Sequence, residues 1–407
     1  MRSLGLLVAT ALVAVAVAVA QEEPSPTKRQ RVFTEKHLEE LLAPWHQADT
    51  LDVFQRYSKT NLQDRIFKCA CAVATLTLSS SQECLAQPLT RYSFDWLVSM
   101  LIRVQMAKQF IVDTLSGLGW NVTLDAFHVD TTPRGPKDFA NIVAVKNPSA
   151  PRRIVLAAHY DSKIFDGFEF IGAIDSAGSC ALLLFIAAVL NQRLEQQERF
   201  KSVTLELLFF DGEEAMKDWS ATDSLYGSRH LAALLADSPS ALRQKKPATH
   251  ANSMLSPFSS SFSKYVYFYF YFQRPETALD DIDVFILLDL LGAPDPSVYS
   301  FFEKTAVMYS RLARNERRLQ TLNLLLAKPK HRFLLSVDGQ ANVNVPAVDD
   351  DHRPFLDRGV SVVHLIPLPF PPVWHTVNDK ADAIDLPTLL DWGQILASFV
   401  GEYLDLA

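Results

Sequence analysis

A mostly apolar run that ends abruptly in carboxylates constrains this sequence more than any other feature. Leu205–Phe210 is followed by Asp211-Gly212-Glu213-Glu214, giving LELLFFDGEEA over residues 205–215. The run has the length and content of a buried strand, and Asp211-Gly212 breaks it. Adjacent side chains leaving a strand end point in different directions, so one of Glu213 and Glu214 can bind a metal while the other faces a substrate. Two carboxylates at the mouth of a buried sheet are costly unless a cation or a proton compensates them. In isolation the same letters would describe a solvated acidic loop. The question is how often the pattern recurs.

Short β-branched or apolar runs at Asn141–Val145, Arg153–Ala158, Val203–Phe210, Val284–Leu288 and Val360–Ile366 alternate with helical patterns. The helices fall at Trp96–Leu118, Ala177–Gln197, Leu225–Leu235, Phe302–Leu326 and Leu386–Leu404. Such alternation predicts an α/β fold, a three-layer α/β/α sandwich on a mixed, largely parallel central sheet. Chemistry-bearing residues collect near the ends of these runs. His159-Tyr160-Asp161 follows one, Asp175-Ser176 opens the long helix, and Asp289 follows another. Asp349-Asp350-Asp351-His352 precedes the Val360 run and Trp374-His375-Thr376 follows it. In an open α/β sheet the strand C-termini line one crevice, so residues as distant as Asp175 and His375 can meet there. Each has an ordinary role available, Asp175 as a helix cap and His375 as a core histidine. Together they favour a metal site, and a mixed Asp/Glu/His set suits zinc. No G-x-S-x-G elbow is present to support a serine hydrolase.

The 407 residues are 48% hydrophobic and 21% charged, enough for a substantial core, and the net charge of −7 argues against a nucleic-acid partner. Arg2, an apolar run over Leu4–Ala20 and the Ala18-Val19-Ala20 exit read as a signal peptide over residues 1–20. The expected location is therefore secreted, or a secretory-pathway (Golgi) membrane if the segment stays as an anchor. No other stretch reads as membrane-spanning. Asn121-Val122-Thr123 is a glycosylation sequon, and an oxidising compartment would allow Cys69, Cys71, Cys84 and Cys180 to pair. Residues 21–95 read as a helical and irregular N-terminal region and 96–407 as the catalytic domain. Residues 237–282 interrupt that domain with a Ser-rich stretch and the Tyr/Phe run 265–272, an aggregation signature that is expected to lie outside the core.

The runs HYDSK (159–163), GAIDSA (172–177), FFDGEEA (209–215), DSLYGSRHLA (223–232), LLDLLGAP (287–294), DDHRPFLDRGV (350–360) and HLIPLPFPPVWHT (364–376) resemble animal glutaminyl cyclases. The resemblance covers roughly residues 119–236 and 282–406 and stops short of residues 66–100. It implies a zinc-exopeptidase-like fold and conversion of N-terminal glutamine of peptides to pyroglutamate. It further implies one zinc per chain on Asp175, Glu214 and His375, with Glu213 as general acid/base. Asp289 and Asp350 match a pair of carboxylates beside it, and Trp219, Phe370 and Trp374 match the aromatic walls of the glutamine pocket. A monomer is expected. The family's cysteine before H-Y-D is Ala158 here, which leaves Cys180 a buried free thiol. The family shares its fold with zinc aminopeptidases, and His159 and Asp161 could hold a second metal in such an enzyme. Lys163 is expected to neutralise Asp161 instead.

Overall fold

The computed structural model describes residues 92–406 apart from 132–133, 169, 197–201, 242–275, 336–340 and 343–344. The 1–20 run, almost all of 21–95 with Cys69, Cys71 and Cys84, and the aromatic run 265–272 lie outside the described residues.

Helix α1 (Tyr92–Gly117) leads into a hairpin of β1 (Asn121–Thr131) and β2 (Gly135–Val145). Then come β3 (Arg152–His159), α2 (Gly178–Gln196), β4 (Val203–Phe210), α3 (Tyr226–Asp237) and β5 (Ile282–Leu288). After β6 (Val298–Tyr299), α4 (Ala306–Thr321) and β7 (Leu334–Leu335), the single-turn α5 (Arg353–Leu356), β8 (Val362–Leu365) and α6 (Leu386–Leu404) complete the chain. Six strands form one sheet in the order β1-β2-β4-β3-β5-β8, with β4, β3, β5 and β8 mutually parallel and the β1-β2 hairpin antiparallel at one edge. The small β6-β7 pair lies apart from it.

The central strands read as near-continuous apolar runs because both their faces are covered. Ile154, Leu156 and Ala158 of β3 face a core built with α1, α2, α4 and α6. Their neighbours Val155 and Ala157 face the other core, with Leu231 and Ala232 of α3 and Phe355 of α5. The period of two thus assigns each strand residue to one of two layers. Glu206 breaks the apolar run of β4, and Arg153 of the adjacent strand meets it at 3.0 Å. Helix α2 is apolar all round because α1 and α6 enclose it. By length and composition Ala173–Gln196 could cross a membrane, yet 89% of its most apolar window is buried in this fold, as in the core helix of a globular protein.

Besides the short β6, β7 and α5 and the earlier start of β2 at Gly135, none of which the sequence reading contained, two features depart from it most. Strand β1 is an addition to it: its residues alternate between exposed and half-buried, so it offers no apolar run. The helix expected over Phe302–Leu326 is shorter. The chain leaves α4 after Thr321, turns through the left-handed Asn323, and gives the Leu326 and Ala327 amides to Asp391 of α6 at 2.7 and 2.9 Å.

The 237–282 segment leaves and re-enters through a closed neck. Pro239 bridges Thr277, Ser240 N donates to Glu276 O at 3.2 Å, and Asp281 accepts from Ser240 Oγ and Ala241 N. Replacing residues 251–275 by a short Gly/Ser linker changes loop-closure entropy by only about 1 kcal/mol. The expected result is a cooperative melt within about 4 °C of the parent. A collapse of the melting transition would show that the segment belongs to the core.

Candidate metal and active site

The parallel strands all end at one edge of the sheet, where the chain passes from β3 to β4 and later returns to the other side of β3 as β5. This is the switch point at which such sheets bind ligands. A cavity of about 220 Å³ opens there. All six residues with an expected metal or acid/base role line it: Asp175, Glu213, Glu214, Asp289, Asp350 and His375. So do the three expected aromatic walls, Trp219, Phe370 and Trp374, and the rim residue Asp349.

Local structure explains how the tandem glutamates are presented. Gly212 has φ 74°, and a Cβ there would lie 2.6 Å from a ring atom of Phe139, so the turn after β4 admits only glycine. The next two amides, Glu213 N and Glu214 N, each donate to one oxygen of Asp161 at 3.1 Å. One carboxylate after β3 therefore fixes the backbone of both glutamates after β4. Lys163 does not neutralise Asp161 as expected. Its Nζ sits 3.1 Å from Glu214 Oε2, because the two amides already occupy the Asp161 carboxylate.

Asp175 precedes α2, and its own amide and that of Ile174 donate to Asp379 at 3.1 and 2.7 Å. His375 has a left-handed backbone (φ 55°) and a ring stacked on Trp374 at 3.9 Å, with Phe165 and Phe170 edge-on at 5.6 and 5.8 Å. Its Nε2 points between Asp175 Oδ2 at 3.3 Å and Glu214 Oε1 at 3.2 Å. Burial alone would lower this imidazole's pKa, but the contacts with Asp175 and Glu214 outweigh it and push it up to about 9. Burial would likewise raise Asp175, yet its contacts with His159 and His375 hold it at about 2. The pocket between these groups prefers positive charge.

These donors fit a divalent metal. One ligand atom each from Asp175, Glu214 and His375 lies within 4.8 Å of the others, and buried Asp175 Oδ2 faces the His375 ring nitrogen at 3.3 Å. Two carboxylate oxygens and an imidazole nitrogen are a set that zinc accepts with one position open. A second group, His159, Asp175 and Asp289, also brings one ligand atom each within 4.8 Å of the others and shares Asp175 with the first. His159 Nε2 lies 3.1 Å from Asp175 Oδ1 and 3.4 Å from Asp289 Oδ1. Asp161 is in neither group.

Beside the metal group the carboxylates crowd. Burial first, and then Glu214, Asp350 and Asp351, raise Glu213 well above the ordinary glutamate range against the pull of His159. Burial and the neighbouring Asp350 raise Asp289 to about 6. Asp350 is held by His364 Nε2 at 2.7 Å and by the Asp351 amide at 2.6 Å. Cys180 is a buried free thiol, as expected. It donates to His159 O at 3.0 Å, and burial pushes its pKa up to about 12. Sequence reasoning missed Asp379, whose partners Ile174 and Asp175 lie some two hundred residues earlier, and His364, which meets Asp350 from strand β8.

The chain matches peptidase family M28 over residues 141–253 and 266–400, well over half its length, and so belongs to that family. It is 43% identical to the glutaminyl-peptide cyclotransferase-like protein of Bos taurus over 304 residues, which cover 74% of this chain and 70% of that one. It is 40% identical to the glutaminyl-peptide cyclotransferase of Drosophila melanogaster over 308 residues, 74% of this chain and 75% of that one. The crystal structure of Macrostomum lignano glutaminyl cyclase superposes with a TM-score of 0.62 at 32% identity, covering 85% of this chain and 91% of that one. Within peptidase family M28, the chain belongs with the glutaminyl-peptide cyclotransferases.

Proposed function

We propose that this chain is a zinc-dependent acyltransferase that cyclises the N-terminal glutamine of peptides to pyroglutamate, releasing ammonia. One observation carries the reading: nine residues from separate stretches of chain, each with a role implied by the cyclase resemblance, line one cavity at the sheet's switch point.

Asp175, Glu214 and His375 would hold a single zinc ion, which when bound polarises the γ-carboxamide carbonyl and favours the oxyanion that develops on it. Glu213, buried and raised in pKa, accepts a proton from the α-amine as that nitrogen bonds to the carbonyl carbon of the side-chain carboxamide. It returns the proton to the departing nitrogen as the carbon–nitrogen bond of the carboxamide breaks and ammonia leaves. Asp289 and Asp350 flank it and keep it in a shared proton network. Trp219, Phe370 and Trp374 hold the glutamine chain folded back, which supplies most of the advantage of an intramolecular closure. Phe370 and Trp374 support each other edge to face at 4.7 Å.

The catalytic domain in this reading is 96–407, acting as a monomer on peptides after cleavage of residues 1–20 and secretion. Uncleaved, the 1–20 run would instead tether it to a secretory-pathway membrane. Asn121 is exposed at the start of the edge strand β1, which suits it as a glycan acceptor.

The geometry of His159, Asp175 and Asp289 favours one competing reading, a two-metal aminopeptidase. Purified protein given a Gln-initiated and a Leu-initiated peptide separates the two. The expected result is ammonia and pyroglutamyl product from the first peptide, nothing from the second, and one equivalent of zinc. Free leucine without cyclisation, together with two tightly bound metal equivalents, would establish the aminopeptidase.

A further inference from the structure

Between Glu214 and Tyr226 the chain makes a surface excursion that carries Trp219, 44% exposed, to the cavity wall. Its two ends are pinned: Leu225 N donates to Glu213 O at 2.9 Å and Tyr226 N to Gly212 O at 2.7 Å. Its interior is organised around one side chain. The carboxylate of Asp223, itself 7% exposed, accepts from the amides of Met216 at 2.7 Å, Lys217 at 3.0 Å and Asp218 at 3.0 Å, and from Tyr226 Oη at 2.8 Å. The Asp223 and Ser220 backbones exchange two further bonds at 3.2 and 3.3 Å, closing the turn immediately after Trp219. Burial works against the Asp223 charge, but the bonds from Tyr226 and the three amides overcome it and hold the carboxyl below its usual range.

We infer that Asp223 is a positioning residue that sets substrate affinity by holding the Trp219 loop in its binding conformation. The inference rests on the reading of Trp219 as a wall of the glutamine pocket. The three amides are consecutive and immediately precede Trp219, so the carboxylate fixes the direction in which the indole leaves the chain. The Lys217 and Asp218 side chains are 64% and 83% exposed, and their amides can turn to water when the acceptor is removed. The root of the loop has separate anchors: Met216 packs with Phe139 and Tyr226, and Arg134 Nε donates to Met216 O at 2.7 Å. Loss of Asp223 therefore releases the loop tip without unmaking the sheet edge or the metal group. A binding wall that must be ordered by the substrate itself binds more weakly by the cost of that ordering.

The test compares Asp223→Ala, Tyr226→Phe, Trp219→Ala and the Asp223→Ala/Trp219→Ala double variant in a cyclisation assay, with zinc content measured for each. Asp223→Ala should raise KM roughly tenfold, the worth of one well-placed wall of the pocket, while kcat and zinc content stay near those of the parent. Tyr226→Phe removes one of the four bonds and keeps the ring, so a smaller rise in KM is expected. In the double variant KM should be no higher than in Trp219→Ala alone, because the two residues act through one wall. Amide exchange at 216–218 should accelerate in Asp223→Ala. An unchanged KM in a folded Asp223→Ala protein, additive effects in the double variant, or equal losses of kcat and zinc would each overturn the inference. If Asp223→Ala fails to fold, an unchanged KM in Tyr226→Phe overturns it. An unchanged KM in Trp219→Ala overturns it too while leaving the cyclase activity standing. Absence of cyclisation by the parent protein, by contrast, strikes the functional reading itself.

Discussion

Glu213→Gln is expected to keep its zinc and lose turnover by about 10²–10⁴-fold, the usual worth of a general acid/base. The substitution preserves side-chain volume and leaves the backbone untouched, so the bonds from the 213 and 214 amides to Asp161 persist. What it removes is the group that can take a proton from the amine and give it back. Glu213 suits that role because burial and the surrounding carboxylates raise its pKa well above the ordinary range, bringing its two protonation states closer in energy. Glu214, one residue on, points instead toward His375 Nε2 at 3.2 Å. Turnover under saturating peptide and metal content on the same preparation decide the matter. A Glu213→Gln protein that has lost its zinc would exchange the roles assigned to the two glutamates.

That exchange is the point on which sequence alone is weakest, and the reason is physical. Adjacent residues after a strand diverge, but which one turns toward the metal depends on the backbone direction set by Gly212 and by the two amide bonds to Asp161. Neither is written in the letters Glu-Glu. The buried elements are legible because they answer to one rule each. Strand β4 is legible to its ends because both its faces are covered and Asp211-Gly212 stops it. Helix α6 is legible to its ends because Asp385 caps it, accepting from Thr388 N at 3.0 Å, with a proline in its first turn. Strand β1 escapes notice because an edge strand pairs on one side only and needs no apolar run. The early end of α4 escapes because Asp391 draws Leu326 and Ala327 away from it, and Asp391 lies more than sixty residues further on. Lys163 departs from expectation for the same kind of reason: proximity in sequence to Asp161 matters less than the amides that reach Asp161 from the end of β4. The site residues are legible because strand ends of a parallel sheet converge whatever their spacing in the chain. The residues that orient them, Asp161, Asp379 and His364, become visible only once the strands are assembled.

His375→Ala should abolish both metal binding and cyclisation. The imidazole nitrogen sits between Asp175 Oδ2 and Glu214 Oε1 at 3.3 and 3.2 Å, and no other imidazole takes part in that ligand group. His159 faces the other oxygen of Asp175, so it cannot take over without moving the strand that carries it. With His375 gone, the two buried carboxylates keep only His159, 3.1 Å from Asp175, and Lys163, 3.1 Å from Glu214, to compensate them. Two ligands in place of three leave zinc a site it occupies weakly. A ligand that binds only the folded state adds about 2.7 kcal/mol at a hundredfold excess over its Kd. Added zinc should therefore raise the melting temperature of metal-stripped parent protein and leave that of His375→Ala unmoved. The ring also fills space between Trp374, Phe165 and Phe170, so some stability is lost irrespective of metal. For that reason the deciding comparison is the zinc-dependent shift in melting temperature within each protein, not the difference between them. A His375→Ala protein that holds stoichiometric zinc and melts higher when zinc is added would make this histidine a packing residue and place the metal elsewhere in the cavity.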